Sequence, residues 1–530
     1  MSIKVSNVRL PLDEPEESLP LVLSRRLGVK PTDLIRWRIL RKSLDARQHR
    51  EIQFVYAAEV ELPADEALVV AKRRDHEVSL YHDEPFQVPP PGERTLEHRP
   101  LVVGSGPAGL FAAWLLAMNG YAPIVIERGK KLRDRSRDVR SFDAGGELNP
   151  ESNYLFGEGG AGTFSDGKLT SRKGGSDVQE VLRIIAECKG RPSIVYEHRP
   201  HLGSNRLPAV VKAIRRRLIA AGAEIRFECR MEDLDICDGQ LRGVFTSSGH
   251  IPADVVLLAP GHSARDTYAM LAERGVAMVA KPFQMGVRIE QPQEQVNRAR
   301  YGIHADDARL GAADYELVAH GQRDLFTFCM CAGGYVIPSV SEPEHYCTNG
   351  MSYSWHDSPF ATSGLVVTID PREFGEGLMA GIELQRKCER AAYDIGRGTY
   401  KAPIQGAHDF LARRTSSGSL PSSHQRGTVP TDLRTWLPIA VLNALDEGLP
   451  ILDRRWRGLF LKSATLVAPE TRGSSPIRIL RDPRTYQSPS FAGLYPVGEG
   501  AGYAGGIISA AVDGLRVAKG VIAEYAALSR

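Results

Sequence analysis

Cysteine is scarce and odd in number, seven in 530 residues, which excludes the disulfide framework that staples small secreted domains. Charge of one sign is lacking as well. A net charge of +3 with 25% charged residues is too balanced to define a nucleic-acid or acidic-lipid surface by composition. No Gly-x-Ser-x-Gly elbow, His-Glu-x-x-His helix or nucleotide-hydrolysis loop occurs, so those hydrolytic chemistries have no residues to act with. No second Cys or His pair stands at metal spacing beside Cys329-Met-Cys331, and no metal centre is expected. The start, Met-Ser-Ile-Lys-Val, has no charged n-region followed by an apolar core and reads as no signal peptide. Uncharged runs are short, with one exception at residues 101–126, long enough for a membrane span. Glycines and a proline near its front and the Asn119-Gly120 pair read it instead as buried strand, tight turn, buried helix and second strand. The expectation is a soluble, cytoplasmic protein.

What is abundant is glycine, 51 residues or about a tenth of the chain against a usual ~7%, and its placement carries the chemistry. Val102 and Val103 end an apolar strand, after which Gly104-Ser-Gly106-Pro107-Ala108-Gly109 opens a helix of Leu, Phe, Ala and Trp. The first glycine permits a tight turn, the second lets backbone approach a pyrophosphate, and the third lets helix pack on strand. Pro107 suits the first helical turn, where its missing N–H costs little. The helix N-terminus then faces phosphate. A second strand, Pro123–Ile126, ends in Glu127, placed to accept hydrogen bonds from ribose hydroxyls. An acid there disfavours a 2′-phosphate, so the reading is NAD or FAD.

The C-terminal segment decides between them. Gly493-Leu-Tyr-Pro-Val-Gly498-Glu499-Gly500 leads to Gly505-Gly506-Ile507 and a long apolar-faced helix, Ile508–Leu528. A strand ending in Gly-acid, then glycines opening a helix, suits the ribityl chain and the pyrimidine edge of a flavin. FAD is therefore the expected cofactor. Residues 205–222 read as a helix capped by Asn205 and stopped by Gly222. The strand Ala223–Cys229 ends in Arg230-Met231-Glu232, an edge expected to reach adenine through its backbone. Asp254 to Ala259, Pro260 and Gly261-His262-Ser263 read as a buried strand and a turn passing beside the dinucleotide.

The chain resembles the bacterial FAD-dependent dehydrogenases of unassigned substrate that carry a ferredoxin-like N-terminal domain on a glutathione-reductase and hydroxylase type of FAD fold. Ser43-Leu-Asp-Ala-Arg47, Gly104–Gly109, Phe156–Leu169, Gly261–Tyr268, Phe328-Cys-Met-Cys331, Asn349-Gly-Met-Ser352 and Pro496–Gly514 carry it. The chain departs from the family at Ala332, Gln291 and Thr362, where Pro, His and Asn are usual. The resemblance implies bound FAD and a redox reaction.

The organisation that follows is α/β. It comprises a ferredoxin-like α+β domain at 1–95, a Rossmann-type FAD-binding fold at 96–274 and 481–530, and an inserted α+β substrate or cap domain at 275–480. In the first, Ile3–Leu10 and Ile52–Leu62 read as strands, Glu16–Leu27 as a helix, and Pro31–Arg38 as a second helix or turn. Pro89-Pro90-Pro91-Gly92 is a stiff linker. Arg36, Arg38, Arg41, Lys42, Arg47 and Arg50 form a basic cluster whose readings are a solvated face or a contact with RNA, a protein or the FAD domain. In the insertion, strands are expected at Met285–Ile289, Leu325–Met330, Tyr335–Pro338 and Leu365–Ile369, and a helix at Met379–Tyr393.

The expected cofactor-binding set is Gly104, Gly106, Pro107, Ala108, Gly109, Glu127, Arg128, Gly160, Ala161, Gly162, Thr163, Asp166, Lys168, Met231, Ala259, Gly261, Gly498, Glu499, Gly506 and Ile507. Lys168 is also a catalytic candidate, since a cation near the flavin N1–C2 carbonyl region stabilises its anionic reduced form. Cys329 and Cys331 are the others: on a strand both thiols point to one face, as a flavin-coupled dithiol or as small apolar side chains. His262, His304, His320, His345 and His356 are undifferentiated proton donors or acceptors. The expected activity is hydride transfer between flavin and a small organic substrate held by the middle domain. NAD(P)H or a protein partner is the transient electron source, because no second Gly-x-Gly-x-x-Gly is present. The alternatives are a flavin-dependent hydroxylase, weakened by Pro260-Gly261-His262 where an Asp-Gly pair is usual, and a non-catalytic flavin-binding adaptor for RNA or protein.

Overall fold

The computed structural model describes residues 2–47, 51–63, 65–171 and 174–528. Among the described residues up to 81, a four-stranded antiparallel sheet runs in the order 36–45, 53–61, 2–11 and 78–81, crossed by helices Leu19–Leu27 and Glu66–Arg73. Ile3, Val5, Val8, Leu23, Tyr56 and Val60 fill the space between sheet and helices. The region expected as a second helix or turn holds only a short turn, Pro31–Asp33, followed by strand Arg36–Asp45. Arg36, Trp37, Arg38 and Ile39 do alternate, but a register shift between Ile39 and Arg41 breaks the period and hides the strand. The basic cluster is compensated. Arg36, Arg38, Lys42 and Arg47 pair with Glu61, Glu59 and Asp83, Glu16, and Asp45, while Arg41 contacts His198. Arg50 lies outside the described residues.

The suspected membrane stretch resolves into strand Leu101–Val103, helix Pro107–Met118 and strand Ile124–Ile126. Among the described residues no helix is long and apolar enough to cross a membrane. The two strands join Val256–Leu258, Leu494–Pro496 and Glu224–Arg226 in a five-stranded parallel sheet. Helix Ile507–Glu524 packs on helix Pro107–Met118, with Gly514 against the Ala108 carbonyl, where a Cβ would come within 2.2 Å. A three-stranded antiparallel meander, residues 231–252, flanks this layer. Gly222 does stop helix Leu207–Ala220 at φ +90°. Asn205 does not cap that helix; its amide pairs instead with Ser354 through Oδ1 at 2.8 Å and Nδ2 at 3.0 Å.

The insertion forms a seven-stranded mixed sheet around Phe283–Pro292 and Phe360–Ile369, with hairpin Gly334–Ser352 against it. All four expected strands are present, and the expected helix runs Ala380–Ile395. Helix Ile439–Arg455, which packs across the sheet, went unread because Pro450 interrupts its sequence. Ala332 and Gln291 are buried, Gln291 accepting from the Tyr315 hydroxyl at 2.6 Å and donating to Phe460 O at 2.6 Å. Thr362 is buried with its hydroxyl unpartnered.

One buried histidine in this domain makes the fold acid-sensitive. His424 sits between the Tyr346 hydroxyl and Gly427 O, and burial pushes it down to about 4. Unfolded histidine takes its proton near pH ~6.5, which the folded ring refuses. Stability is therefore expected to fall as pH drops from about 6.5 toward 4, by linkage. Urea unfolding of wild type and His424→Asn across that window should show the slope shrinking in the variant.

Candidate functional site

The carboxyl ends of four parallel strands open into one cleft. Val103–Gly104, Ile126–Glu127, Leu258 with Ala259, and Val497 mark those ends, the place where α/β sheets bind ligands. The three glycines of the turn differ in what surrounds them. Gly104 holds φ +99°, and a Cβ there would lie 2.3 Å from Ala259 O. A Cβ on Gly109 would lie 1.9 Å from Gly104 O, so that glycine serves packing. A Cβ on Gly106 meets nothing nearer than 3.9 Å, because it faces the cleft. Pro107 is the first helical residue.

Glu127 is 5% exposed and fully engaged. Its Oε2 accepts from Ser105 N at 3.0 Å and Ser105 Oγ at 2.7 Å, and its Oε1 from Gly129 N at 2.9 Å and Gly157 N at 3.0 Å. Four donors fill a carboxylate. A ribose hydroxyl can enter only where the Ser105 hydroxyl rotates away, since the other three donors are backbone. Arg128 lines the cleft, pairs with Glu151 and Asp266, and stacks 4.1 Å from the Phe156 ring centroid.

The glycine-rich loop 153–160 is held by a residue that sequence reading missed. Arg135 is 0% exposed, and among the described residues no carboxylate pairs with it. Its guanidinium donates to Asn153 O, Tyr154 O, Gly157 O, Glu158 O and Gly160 O at 2.8–3.2 Å. Burial pushes Arg135 down to about 10, so it stays charged at neutral pH. Glu158, 1% exposed, accepts from Leu132 N at 2.8 Å and Arg215 Nε at 2.7 Å. These contacts aim Gly160, Ala161 and Gly162 into the cleft beside Gly106.

Farther along, Asp166 and Lys168 reach the cleft together with Gly505, Gly506 and Ile507 at the start of the last helix. Lys168 Nζ donates to Met330 O and lies 3.6 Å from Asp166 Oδ2. Asp166 Oδ1 accepts from Ser352 Oγ at 2.5 Å, and His201 Nε2 lies 3.4 Å away. Burial would raise the Asp166 carboxyl, but Lys168 and His201 outweigh it and hold it below the usual range. Burial would likewise lower Lys168, and Asp166 reverses that. His201 stacks on His356 at 4.3 Å, and burial together with His201 lowers His356. Of the five histidines singled out from sequence, His262 lines the cleft, 3.3 Å from Glu499 Oε1. His356 joins the Asp166 cluster through His201, and His304, His320 and His345 do not line the cleft. His201 was not legible, since only the fold brings it to Asp166.

The opposite wall comes from the insertion: Phe328, Cys329, Ser339, Asn349, Gly350 and Arg472. Strand Leu325–Cys331 loses register between Phe328 and Cys331, and Cys329 takes φ +43°. The bulge turns Cys329 into the cleft, while Cys331 is buried behind it with Sγ 3.2 Å from Cys329 O. The expectation that both thiols share one face is therefore corrected, because an extra residue reverses strand alternation. Cys329 is exposed in the cleft, and burial pushes the Cys331 thiol well above its ordinary value. Split faces and a neutral Cys331 thiol both count against a dithiol relay.

Arg472 is fixed from behind. Glu389, 0% exposed, takes Arg472 at 2.9 and 3.0 Å and Arg265 at 2.8 Å through both oxygens. Arg265 lies on the helix after strand Val256–Leu258, so this buried network ties the parallel-sheet layer to the insertion. Of the expected cofactor-binding residues, Gly109, Thr163 and Gly498 stand behind the cleft wall and the others line it. Gly498 N donates to Asp513 Oδ2 at 2.7 Å, pinning the turn before Glu499 to the last helix.

A five-stranded parallel sheet with this glycine turn and cleft defines the Rossmann-type dinucleotide-binding class. Residues 102–157 match an NAD(P)-binding Rossmann-like domain and residues 282–473 match the family described as "FAD-dependent protein, C-terminal domain-like". Residues 2–61 match a domain of unknown function. An uncharacterized protein of Clostridium beijerinckii is 39% identical over 531 residues, covering 99% of each chain. The chain belongs to the FAD-dependent oxidoreductase family. Among solved structures, glycine oxidase from Bacillus cereus is 12% identical over 80% of this chain and 97% of that one, at a TM-score of 0.33. L-proline dehydrogenase from P. horikoshii is 12% identical over 81% and 93%, at 0.34. At scores this low neither bears on substrate or mechanism.

Proposed function

We propose that this oxidoreductase moves a hydride between FAD and a small organic substrate seated against the insertion. The carrying observation is that the glycine cradle and the insertion wall line one continuous cleft. The donor set fits the cofactor. Gly104, Gly106, Pro107 and Ala108 would hold the pyrophosphate, with Gly109 packing the turn beneath them. Glu127, Arg128, Met231, Ala259 and Gly261 would hold the adenosine half. Gly160, Ala161, Gly162 and Glu499, backed by Thr163 and Gly498, would hold the ribityl chain. Gly506 and Ile507 would meet the flavin at the positive end of the last helix, with Asp166 and Lys168 beside it. When bound, FAD supplies the hydride-accepting N5.

The chain's own part is placement, exclusion of water and charge. Phe328 and Cys329 close the cleft with an apolar ring and a thiol, and Ser339 and Asn349 offer polar contacts. Lys168, kept charged by Asp166, is the cation for negative charge arising on the cofactor side. The reading includes domain limits at 1–95, 96–274 with 481–530, and 275–480. It also takes NADH or NADPH as a visiting donor, since the described residues contain one parallel sheet.

The purified protein is expected to absorb near ~450 nm and to bleach only with a competent donor. Anaerobic addition of NADH or NADPH tests the donor, and a colourless protein that FAD cannot reconstitute would sink the reading. Gly106→Val places its side chain in open cleft. It is expected to weaken FAD binding by about a hundredfold, or ~2.7 kcal/mol, with little change in melting temperature. Gly109→Ala should instead lower the melting temperature, because its methyl group meets Gly104 O. Flavin fluorescence titration and thermal unfolding separate the two.

A further inference from the structure

One extended segment touches both the N-terminal sheet and the cleft. Strand Arg36–Asp45 is an edge of that sheet, paired on one side with Gln53–Glu61. Its other side pairs in parallel with residues 196–198. Lys42 N donates to Tyr196 O at 2.8 Å, and His198 N donates to Lys42 O at 2.8 Å. A few residues on, the same segment pairs with the loop bearing Asp166 and Lys168. Leu169 N donates to Pro200 O at 2.8 Å and Leu202 N to Gly167 O at 3.0 Å, with Lys168 opposite His201. This stretch also brings the His201 ring to Ser352 Oγ at 2.9 Å, beside Asp166.

We infer that residues 196–202 form a strap through which the N-terminal sheet positions Asp166, Lys168 and His201, with the Lys42 backbone as its anchor. That these groups stand at the flavin rests on the function proposed above; the strap itself does not. The loop needs such a restraint. Gly157, Gly159, Gly160 and Gly167 all take positive φ, between +61° and +115°, so their backbone is not confined by side chains. Arg135 fixes the part up to Gly160, and beyond it Gly167 and Leu169 take their backbone partners from the strap. An edge strand's free N–H and C=O groups recruit an added strand without regard to side chains. Here the added strand is the chain's own, and its far end is part of the site. The strap is also held sideways, by Arg191 on Glu197 and His201 O and by Arg199 on Asp314. Ala46 and Ile52 complete the docking by packing into the core of the insertion. The N-terminal unit thus works as a positioning element, and its edge is occupied within the chain.

Hydrogen exchange on the full chain tests this without any cofactor. Lys42→Pro removes one donor on the outward edge, where proline is tolerated, and His198→Pro removes the other from the opposite partner. Either variant suffices should the other fail to fold. Both are expected to speed amide exchange across residues 157–169 at least tenfold and to weaken FAD binding about tenfold. Lys42→Ala keeps the N–H while losing its ammonium contact with Glu16, and should leave both readouts at wild type. Faster exchange confined to residues 36–45 and 196–198, with residues 157–169 and FAD affinity unchanged, would overturn the strap. Should wild type itself bind no FAD, the cofactor reading fails and the exchange result alone decides the strap.

Discussion

Arg135→Met should cost this chain its cofactor and on the order of 4 kcal/mol of stability. Five backbone carbonyls depend on that one guanidinium, and a charged donor to each is worth more than a neutral one. Methionine fills the volume and leaves the buried carbonyls unpaired, each at about 1–3 kcal/mol when no water replaces the donor. Some will find water as the loop opens, which sets the figure below the sum. The opened loop no longer presents Gly160–Gly162 opposite Gly106, so FAD affinity is expected to fall by more than a hundredfold. Arg135→Lys preserves charge but offers three donors from one point, and should recover only part of either loss. Urea unfolding gives the first quantity and flavin fluorescence titration the second. Full FAD affinity in Arg135→Met would show that the loop holds its shape unaided.

The second large effect is expected at Glu389. Glu389→Gln retains the shape and leaves Arg265 and Arg472 facing each other in the core without their shared counter-charge. Breaking a buried pair in this way typically costs about 3–5 kcal/mol. Burial opposes ionisation of Glu389, and the two arginines outweigh it, so its carboxyl is held well below the usual range. A carboxyl depressed on folding contributes stability above the unfolded value of ~4.3 and loses it as pH falls further. The gap between wild type and Glu389→Gln should thus be complete near neutrality and narrow below about pH 5. Urea unfolding at several pH values checks both the size and the slope. An equal gap at neutral and acid pH would contradict the assigned charge state.

The glycine turn Gly104–Gly109 was legible in the sequence because its requirements are local. Gly104 needs its positive φ and Gly106 its bare face within a single turn, and the strand and helix around them announce themselves by periodicity. The same holds for Gly506 at the head of the last helix, for the insertion strands, and for the resolution of residues 101–126 into strand, helix and strand. Single-element periodicity therefore determined the fold class, and glycines and acids placed within single turns determined the cofactor.

Only the tertiary structure decided which side chains face that cleft and what holds them. Cys329 and Cys331 look equivalent two apart on a strand, until a one-residue bulge set by pairing with Phe360–Ile369 turns one to the cleft and one to the core. Arg135 reads as one basic residue in a charged helix; its five acceptors lie 18 to 25 residues away in a loop without periodicity. Asn205 has the look of a cap, and Ser354, 149 residues on, claims its side chain instead. Glu389 and His201 carry no local signature, since their partners come from other layers of the molecule. Backbone preference acts over a few residues and is written in the sequence; burial and pairing act across the whole chain and are settled when the layers close.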